Sequence, residues 1–328
     1  GETRLGDTDA KRFVNVNGQR VAPTFNADQR ASTSNIYGEF RFRPVEPLQL
    51  IAGAVYAEGF REQHLLLDSF AGGATDINGR AEFDGFSPKF GVLFAANENI
   101  QLFANYSRSV EFPGFAEVAQ IASFVNLDPQ RAWTAEVGTR GRVGIGEWDL
   151  AAYRADIDGE LLQFTVGPDI PASTFNAGKT RHQGVEAALS IDLTEWARLR
   201  QIYTYSDFAF EDDPQYGDNR LPVVPEHLYR AELRLGTDGL HIAPNVEWVP
   251  DGPFADYDNS LQVDGYALVG ITAGATLTDR IDLFVDARNL FDKKAVGDIS
   301  AAITATPTSA IFYPVERRAV FGGVRARF

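Results

Sequence analysis

The chain has no cysteine, no methionine and only four histidines in 328 residues. The first absence removes disulfide frameworks, thiolate metal sites and thiol catalysis together. Without even an initiator methionine, Gly1 reads as an internal or processed start, and no signal peptide is present. His64, His182, His227 and His241 are widely separated and form no His-x-x-His or His-Glu pair at metal spacing, so each reads as an isolated polar side chain. Basic residues are outnumbered 30 to 45, and the net charge of −15 excludes the basic face that a nucleic-acid binder needs. No run of about 18 apolar residues occurs, which excludes transmembrane helices. A membrane barrel survives that test, because alternating strands average out as polar, as the mean hydropathy of −0.19 does here. The Gly-x-Ser-x-Gly elbow, phosphate-cradling glycine loops and zinc signatures are missing too, so neither a catalytic constellation nor a cofactor is expected.

What the chain does have is aromatic mass: 24 Phe and 11 Tyr spread without low-complexity runs, enough apolar surface to exclude disorder. Its dominant pattern has period 2, which predicts an all-β fold. Leu240, Ile242, Val246 and Trp248 alternate with His241, Ala243, Asn245 and Glu247. Ile281, Leu283, Val285 and Ala287 alternate with Asp282, Asp286 and Arg288, with Phe284 standing on the polar side. Val185, Ala187, Leu189 and Ile191 oppose Glu186 and Ser190.

Alternation alone does not separate a soluble sandwich from a membrane barrel; connection lengths do. Strands are predicted at about 33–44, 47–60, 82–95, 98–109, 131–144, 146–165, 173–193, 197–210, 226–236, 240–252, 263–277, 280–296 and 313–328. Tight turns then alternate strictly with long loops at 61–81, 110–130, 166–172, 211–225, 253–262 and 297–312. That beat predicts a transmembrane antiparallel up-and-down β-barrel with short periplasmic turns and longer extracellular loops; a Greek-key sandwich would not keep it. The last strand alternates Val320, Gly322, Val324, Ala326 and Phe328 against Phe321, Gly323, Arg325 and Arg327, and its terminal aromatic, Phe328, is the pattern of a barrel-assembly signal.

Several stretches taken in order resemble the β-barrel of TonB-dependent outer-membrane receptors. They are Phe86-Ser-Pro-Lys-Phe-Gly-Val-Leu-Phe, Asn99-Ile-Gln-Leu-Phe-Ala-Asn-Tyr-Ser-Arg-Ser, Phe112-Pro-Gly-Phe, Glu136-Val-Gly-Thr-Arg and Ala152-Tyr-Arg-Ala-Asp-Ile-Asp. Asn176-Ala-Gly-Lys-Thr-Arg-His-Gln-Gly-Val-Glu, Asp286-Ala-Arg-Asn-Leu-Phe-Asp-Lys-Lys and the closing Arg318-Ala-Val-Phe-Gly-Gly-Val-Arg-Ala-Arg-Phe complete the series. The resemblance implies a 22-stranded barrel plugged by an N-terminal domain, driven by the TonB-ExbB-ExbD complex and inserted by the barrel-assembly machinery among outer-membrane lipid and lipopolysaccharide. About 13 or 14 strands fit in residues 1–328, so the chain is expected to be the C-terminal portion of such a barrel, with residues 1–32 partly an extracellular loop and no plug domain. Expected cargo is a scarce nutrient, by the family's commonest use an iron-siderophore complex; cobalamin, haem, copper or a saccharide would use the same scaffold. A self-contained 14-stranded passive pore and an outer-membrane enzyme are the rival readings.

Transport of this kind breaks no bond, so candidate residues lie in loops and on the lumen wall. Phe112, Phe115 and Glu117 place aromatic faces beside a carboxylate that can clamp a planar chelate, although Phe112-Pro-Gly-Phe can equally serve to fix the strand exit. Asp212 and Tyr216 lie in an acidic loop, Phe254 and Tyr257 in the next, and Tyr313 closes the last. Glu186, Glu247, Asp282, Asp286, Arg288, Arg325 and Arg327 are expected to face the lumen and pair with one another or with a plug, since an unpaired confined charge is costly. Trp133, Trp148, Trp196 and Trp248, near strand ends, fit an interfacial girdle.

Overall fold

The computed structural model describes residues 1–68, 78–120, 123–167 and 172–327; Phe328 lies outside the described residues. The strands are β1 (Glu2–Val16), β2 (Gln19–Val45), β3 (Leu48–Asp68), β4 (Gly79–Asn97), β5 (Ile100–Glu111), β6 (Gln130–Val143), β7 (Gly146–Asp158), β8 (Leu161–Phe164), β9 (Ser173–Asn176), β10 (Lys179–Thr194), β11 (Ala197–Phe210), β12 (His227–Gly236), β13 (Leu240–Val249), β14 (Tyr266–Thr278), β15 (Ile281–Arg288), β16 (Val296–Ile299), β17 (Phe312–Pro314) and β18 (Ala319–Ala326). Fourteen of them form one antiparallel sheet in sequence order, skipping β8, β9, β16 and β17, which pair off as two small hairpins outside it. The one helix among the described residues, α1 (Phe115–Val118), is a single turn.

Register assigns every side chain to one of two faces, because directly opposed residues share a face. One row runs Phe40, Ala52, Phe90, Tyr106, Ala135 across β2–β6, and Val285 continues this face between Ala273 and Gly322. Phe40 is 66% exposed, Val137 58% and Val324 66%. A sheet that leaves large apolar side chains bare along one whole face has hydrocarbon for its solvent on that side. The opposite face carries Glu136, Asp149, Glu186 and Arg230. Trp148 and the Trp133 row, which crosses β7 at Asp156, are eight residues apart along that strand. At roughly 3.3 Å per residue this is about 26 Å, the height of an outer-membrane apolar band before tilt is taken into account.

Phe284, the apolar residue on the polar side of β15, is explained by its neighbour. It opposes Gly323, and a Cβ added there would meet the Phe284 ring at 2.4 Å, so the ring lies flat on bare backbone. Phe103 covers Gly138 in the same way. Both are cross-strand aromatic covers for glycine that keep the inner wall closed without a second layer.

Several predicted boundaries change. Residues 1–32 hold β1 and the first part of β2: Asn17 and Gly18, both at positive φ (53° and 82°), make the two-residue turn that matches strand twist. The strand predicted at 146–165 breaks at Gly159, whose φ of 68° turns the chain out of the sheet, and the one predicted at 173–193 breaks at Ala177-Gly178, so β8 and β9 pair as a flap beside β7 and β10. β15 stops at Arg288, before Asn289 (φ 46°). The β4–β5 ladder ends at Lys89/Ser107, although both strands run further. Above that point β1–β4 form a wing that touches β5 without a ladder, through Arg108 donating to the Phe86 carbonyl (3.2 Å) and Val110 lying against Gly85, and its inner face packs Ala81 and Phe83 against Val118, Phe112, Phe115 and Phe124.

Candidate ligand-entry site at the long-loop end

The buried apolar residues cluster among the long loops. Leu162, Ala177, Phe210, Tyr216, Leu221 and Tyr257 form one cluster, and Ala255, Ile299, Ala302, Ala305 and Ile311 a second. Polar side chains tie the loops together by satisfying backbone groups that irregular chain leaves unpaired. Asn176 donates to the carbonyls of Asp128 (2.9 Å) and Gly159 (2.8 Å) and accepts from Asp128 N–H (2.8 Å), joining the loop after β5 to the β8–β9 flap. Asn259 accepts from Arg220 N–H (2.8 Å) and donates to its carbonyl (2.9 Å), and Asn219 donates to the Tyr257 carbonyl (2.8 Å). Fully buried Asp256 accepts from Ser260 N–H (2.8 Å), from the Ser260 hydroxyl and from Ala305 N–H (2.7 Å), locking the loop after β13 to the loop after β15. The loops therefore form one plate over the end of the sheet.

Several residues proposed as ligand contacts from sequence are parts of this plate. Tyr216 stacks on Phe210 at 4.9 Å, and both Tyr216 and Tyr257 are buried. The Tyr257 hydroxyl donates to the Gln163 carbonyl (2.8 Å), and burial pushes its phenol well above the ordinary tyrosine range. Phe112 stacks on Phe83 (5.5 Å) and Phe115 packs in the same cluster, so Phe112-Pro-Gly-Phe fixes the strand exit. Tyr216 and Tyr257 are buried and Phe112 and Phe115 partly so, because an aromatic in a loop with neighbouring loops to bury it leaves water. Glu117 accepts from Gly114 N–H (2.8 Å) and from Gln163 (3.3 Å). The Asp212 N–H donates to Asp218 (3.1 Å). Phe254 is half-buried and its carbonyl accepts from Val223 N–H (2.9 Å), while Tyr313 is exposed beside Ser300 (3.3 Å).

On the inner wall Glu247 pairs with Arg230 and accepts from Tyr266 (3.0 Å). Asp286 pairs with Arg288, which also reaches Glu316, and Asp282 pairs with Arg327 (3.1 Å). Glu186 lines a hollow with Asn105, Glu136, Arg140, Asp149 and Thr204, and Arg325 opposes Asp282 across β15–β18. Two inward clusters had no sequence signal. His182 lies flat on Phe208 (4.0 Å) and contacts Glu160 (3.2 Å), a buried carboxylate that also accepts from Thr180. Arg61, in a stretch predicted as loop, sits on the wing's inner face.

With a charged inner wall, an apolar outer wall and a loop plate at one end in place, comparison with known proteins is decisive. The family model for the TonB dependent receptor-like β-barrel matches residues 3–290. The chain belongs to the TonB-dependent receptors. This receptor is 30% identical over 219 residues to the metal-pseudopaline receptor of Pseudomonas aeruginosa, covering 63% of the chain and 30% of that protein. It is 25% identical over 229 residues to the catecholate siderophore receptor of Escherichia coli K12, covering 65% and 29%. The ferric citrate transporter in its unliganded form superposes with a TM-score of 0.77 at 16% identity, over 98% of the chain and 50% of that structure. The chain thus spans at most about half the length of these relatives.

Proposed function

We propose that the chain is part of an outer-membrane importer that takes up a scarce metal as its chelate, an iron-siderophore complex in the first instance, through a plugged barrel energised by TonB-ExbB-ExbD. The observation that carries this reading is the inner wall: acidic and basic side chains, Glu136, Arg140, Asp149, Glu186, Arg230 and Glu247 among them, line a lumen beneath the loop plate. A passive pore needs only a wet lumen, whereas a wall of this kind seats a second polar body. Glu186, Glu247, Asp282, Asp286, Arg288, Arg325 and Arg327 are the residues proposed to hold the plug, supplied by receptor sequence beyond this chain. Relatives named for metal-pseudopaline and catecholate siderophores support the cargo class. Asp212, Phe254, Tyr313 and Glu117, at the long-loop end, are proposed to meet the chelate, with Phe112, Phe115, Tyr216 and Tyr257 holding the loops that present them. Phe328 is proposed to mark the strand for the barrel-assembly machinery, and the outer wall to contact lipid and lipopolysaccharide.

The test is uptake of radiolabelled iron chelates by cells with and without the receptor gene, beside labelled cobalamin and copper. Iron accumulation that needs both the gene and an energised inner membrane is the expected result. Uptake that persists after uncoupling points to a passive pore; gene-dependent uptake of cobalamin or copper alone overturns the iron assignment.

A further inference from the structure

Arg61 is an inward guanidinium with an unfilled bonding edge. Its register partners on β2 and β4 are Ala31 and Ala81, and Ala81 belongs to the cluster buried against α1, so Arg61 faces the entry side of the wing. One nitrogen, Nη1, donates to the carbonyls of Phe60 (2.9 Å) and Ser32 (3.2 Å) and lies 3.4 Å from the Thr33 hydroxyl, which holds the group in place. The Nε and Nη2 edge meets no acceptor, and no carboxylate lies within 4.0 Å, among the described residues. Partial burial lowers its pKa from the usual arginine value, and Glu117 opposes that only at longer range. Like Arg131, Arg61 is partly buried without an ion pair among the described residues, and its Nε/Nη2 edge is left accessible to an incoming anion. An Nε/Nη2 edge presents two parallel N–H donors, the geometry that takes paired oxygens of a carboxylate or a similar oxyanion.

We propose that Arg61 is a specificity-determining residue of the entry site, receiving a carboxylate or equivalent oxyanion of the incoming chelate and so favouring anionic over neutral cargo. This rests on the import reading above. The guanidinium stays charged across physiological pH, so the preference is independent of pH there.

The experiment measures binding of three ferric chelates to the full-length receptor in lipid nanodiscs: a carboxylate chelate and a catecholate chelate, both anionic, and a neutral trihydroxamate. Wild type is expected to bind an anionic chelate, and Arg61→Gln to weaken it roughly ten- to a hundred-fold, the worth of a charged hydrogen-bond pair. Arg61→Lys restores charge without the two-donor edge and should recover only part. Because Arg61→Gln also removes bonds that order the wing, Ala31→Glu provides a second route, placing a carboxylate beside an intact Arg61; the same selective loss is expected. Unchanged anionic affinity in both variants, or equal loss of neutral and anionic chelates, overturns the proposal. Wild type binding only the neutral chelate overturns it while leaving import standing. Wild type binding none of the three rejects the import of iron chelates itself.

Discussion

Asp256 offers the sharpest test of the claim that the loops act as one plate. It is fully buried, and its Oδ2 accepts from both the Ser260 hydroxyl and Ala305 N–H, while Oδ1 accepts from Ser260 N–H (2.8 Å) and, at 3.4 Å, from Leu261 N–H. Asp256→Asn keeps one carbonyl oxygen for the Ser260 amide and turns an amide NH₂ toward the buried Ala305 N–H. Two charge-assisted bonds are lost and one backbone donor is left facing another donor, a cost of about 3–5 kcal/mol. The barrel strands do not share that cost, because local opening draws on local contacts. Hydrogen exchange read by mass spectrometry on peptides spanning 254–262 and 299–311 should therefore speed up by about two to four orders of magnitude, with β13 and β14 unchanged. Ser260→Ala removes a single bond and should cost about 1 kcal/mol. Wild-type exchange rates in Asp256→Asn would refute the reasoning, and uniform acceleration across strands and loops would refute the separation of plate from barrel.

Three further outcomes follow from the same geometry. Val285→Arg, on the outer face between Ala273 and Gly322, should cost roughly 2–4 kcal/mol of folding free energy in lipid, while Asp286→Asn one residue along should change it little; equal costs would contradict the assignment of faces. Tyr257 has a phenol pKa raised by burial, so its contribution to loop docking is complete below about pH 10 and fades as pH climbs toward the raised value. Absorbance titration should show Tyr257→Phe removing one phenol from the late-ionising group, and the variant should cost about 1 kcal/mol at neutral pH through the lost bond to Gln163. Asn176→Ala, which strands the Asp128 N–H and two carbonyls, should expose the flap between Gly159 and Gly178 to limited proteolysis while leaving the barrel intact.

The barrel was readable from sequence and most of the contacts that join the long loops were not, for one physical reason. Side chains of a barrel strand choose between two solvents, hydrocarbon and lumen water, and that choice is written locally at period 2, as on β13 from Leu240 to Trp248. Even there the rule gives way where a neighbour intervenes: Phe284 is inward because Gly323 opposite leaves room for its ring. The stretch holding Arg61, Glu62 and Gln63 is too polar to predict as strand, yet ladders with β2 on one side and β4 on the other hold it extended. Backbone pairing on both edges outweighs composition there. Asp256, Asn259 and Asn176 look like ordinary loop polars, since what they bind arrives from segments far along the chain.

That division bears on how entry can be controlled. From the loop after β5 to the loop after β15, the long loops are joined through Asn176, Asn219, Asn259, Asp256 and Tyr257, so displacing one loop breaks buried hydrogen bonds in its neighbours. The wing has no ladder to β5 above Lys89 and meets the plate through apolar side chains around Val118. Apolar packing permits small sliding at far less cost than rupture of a buried bonded network. On the import reading proposed above, motion that admits a chelate is cheapest at the junction of wing and plate, so Asp256→Asn should leave chelate affinity nearly intact while Ala81→Phe, which wedges that junction, should change it. An affinity that follows Asp256 and ignores Ala81 would put the moving element in the plate instead.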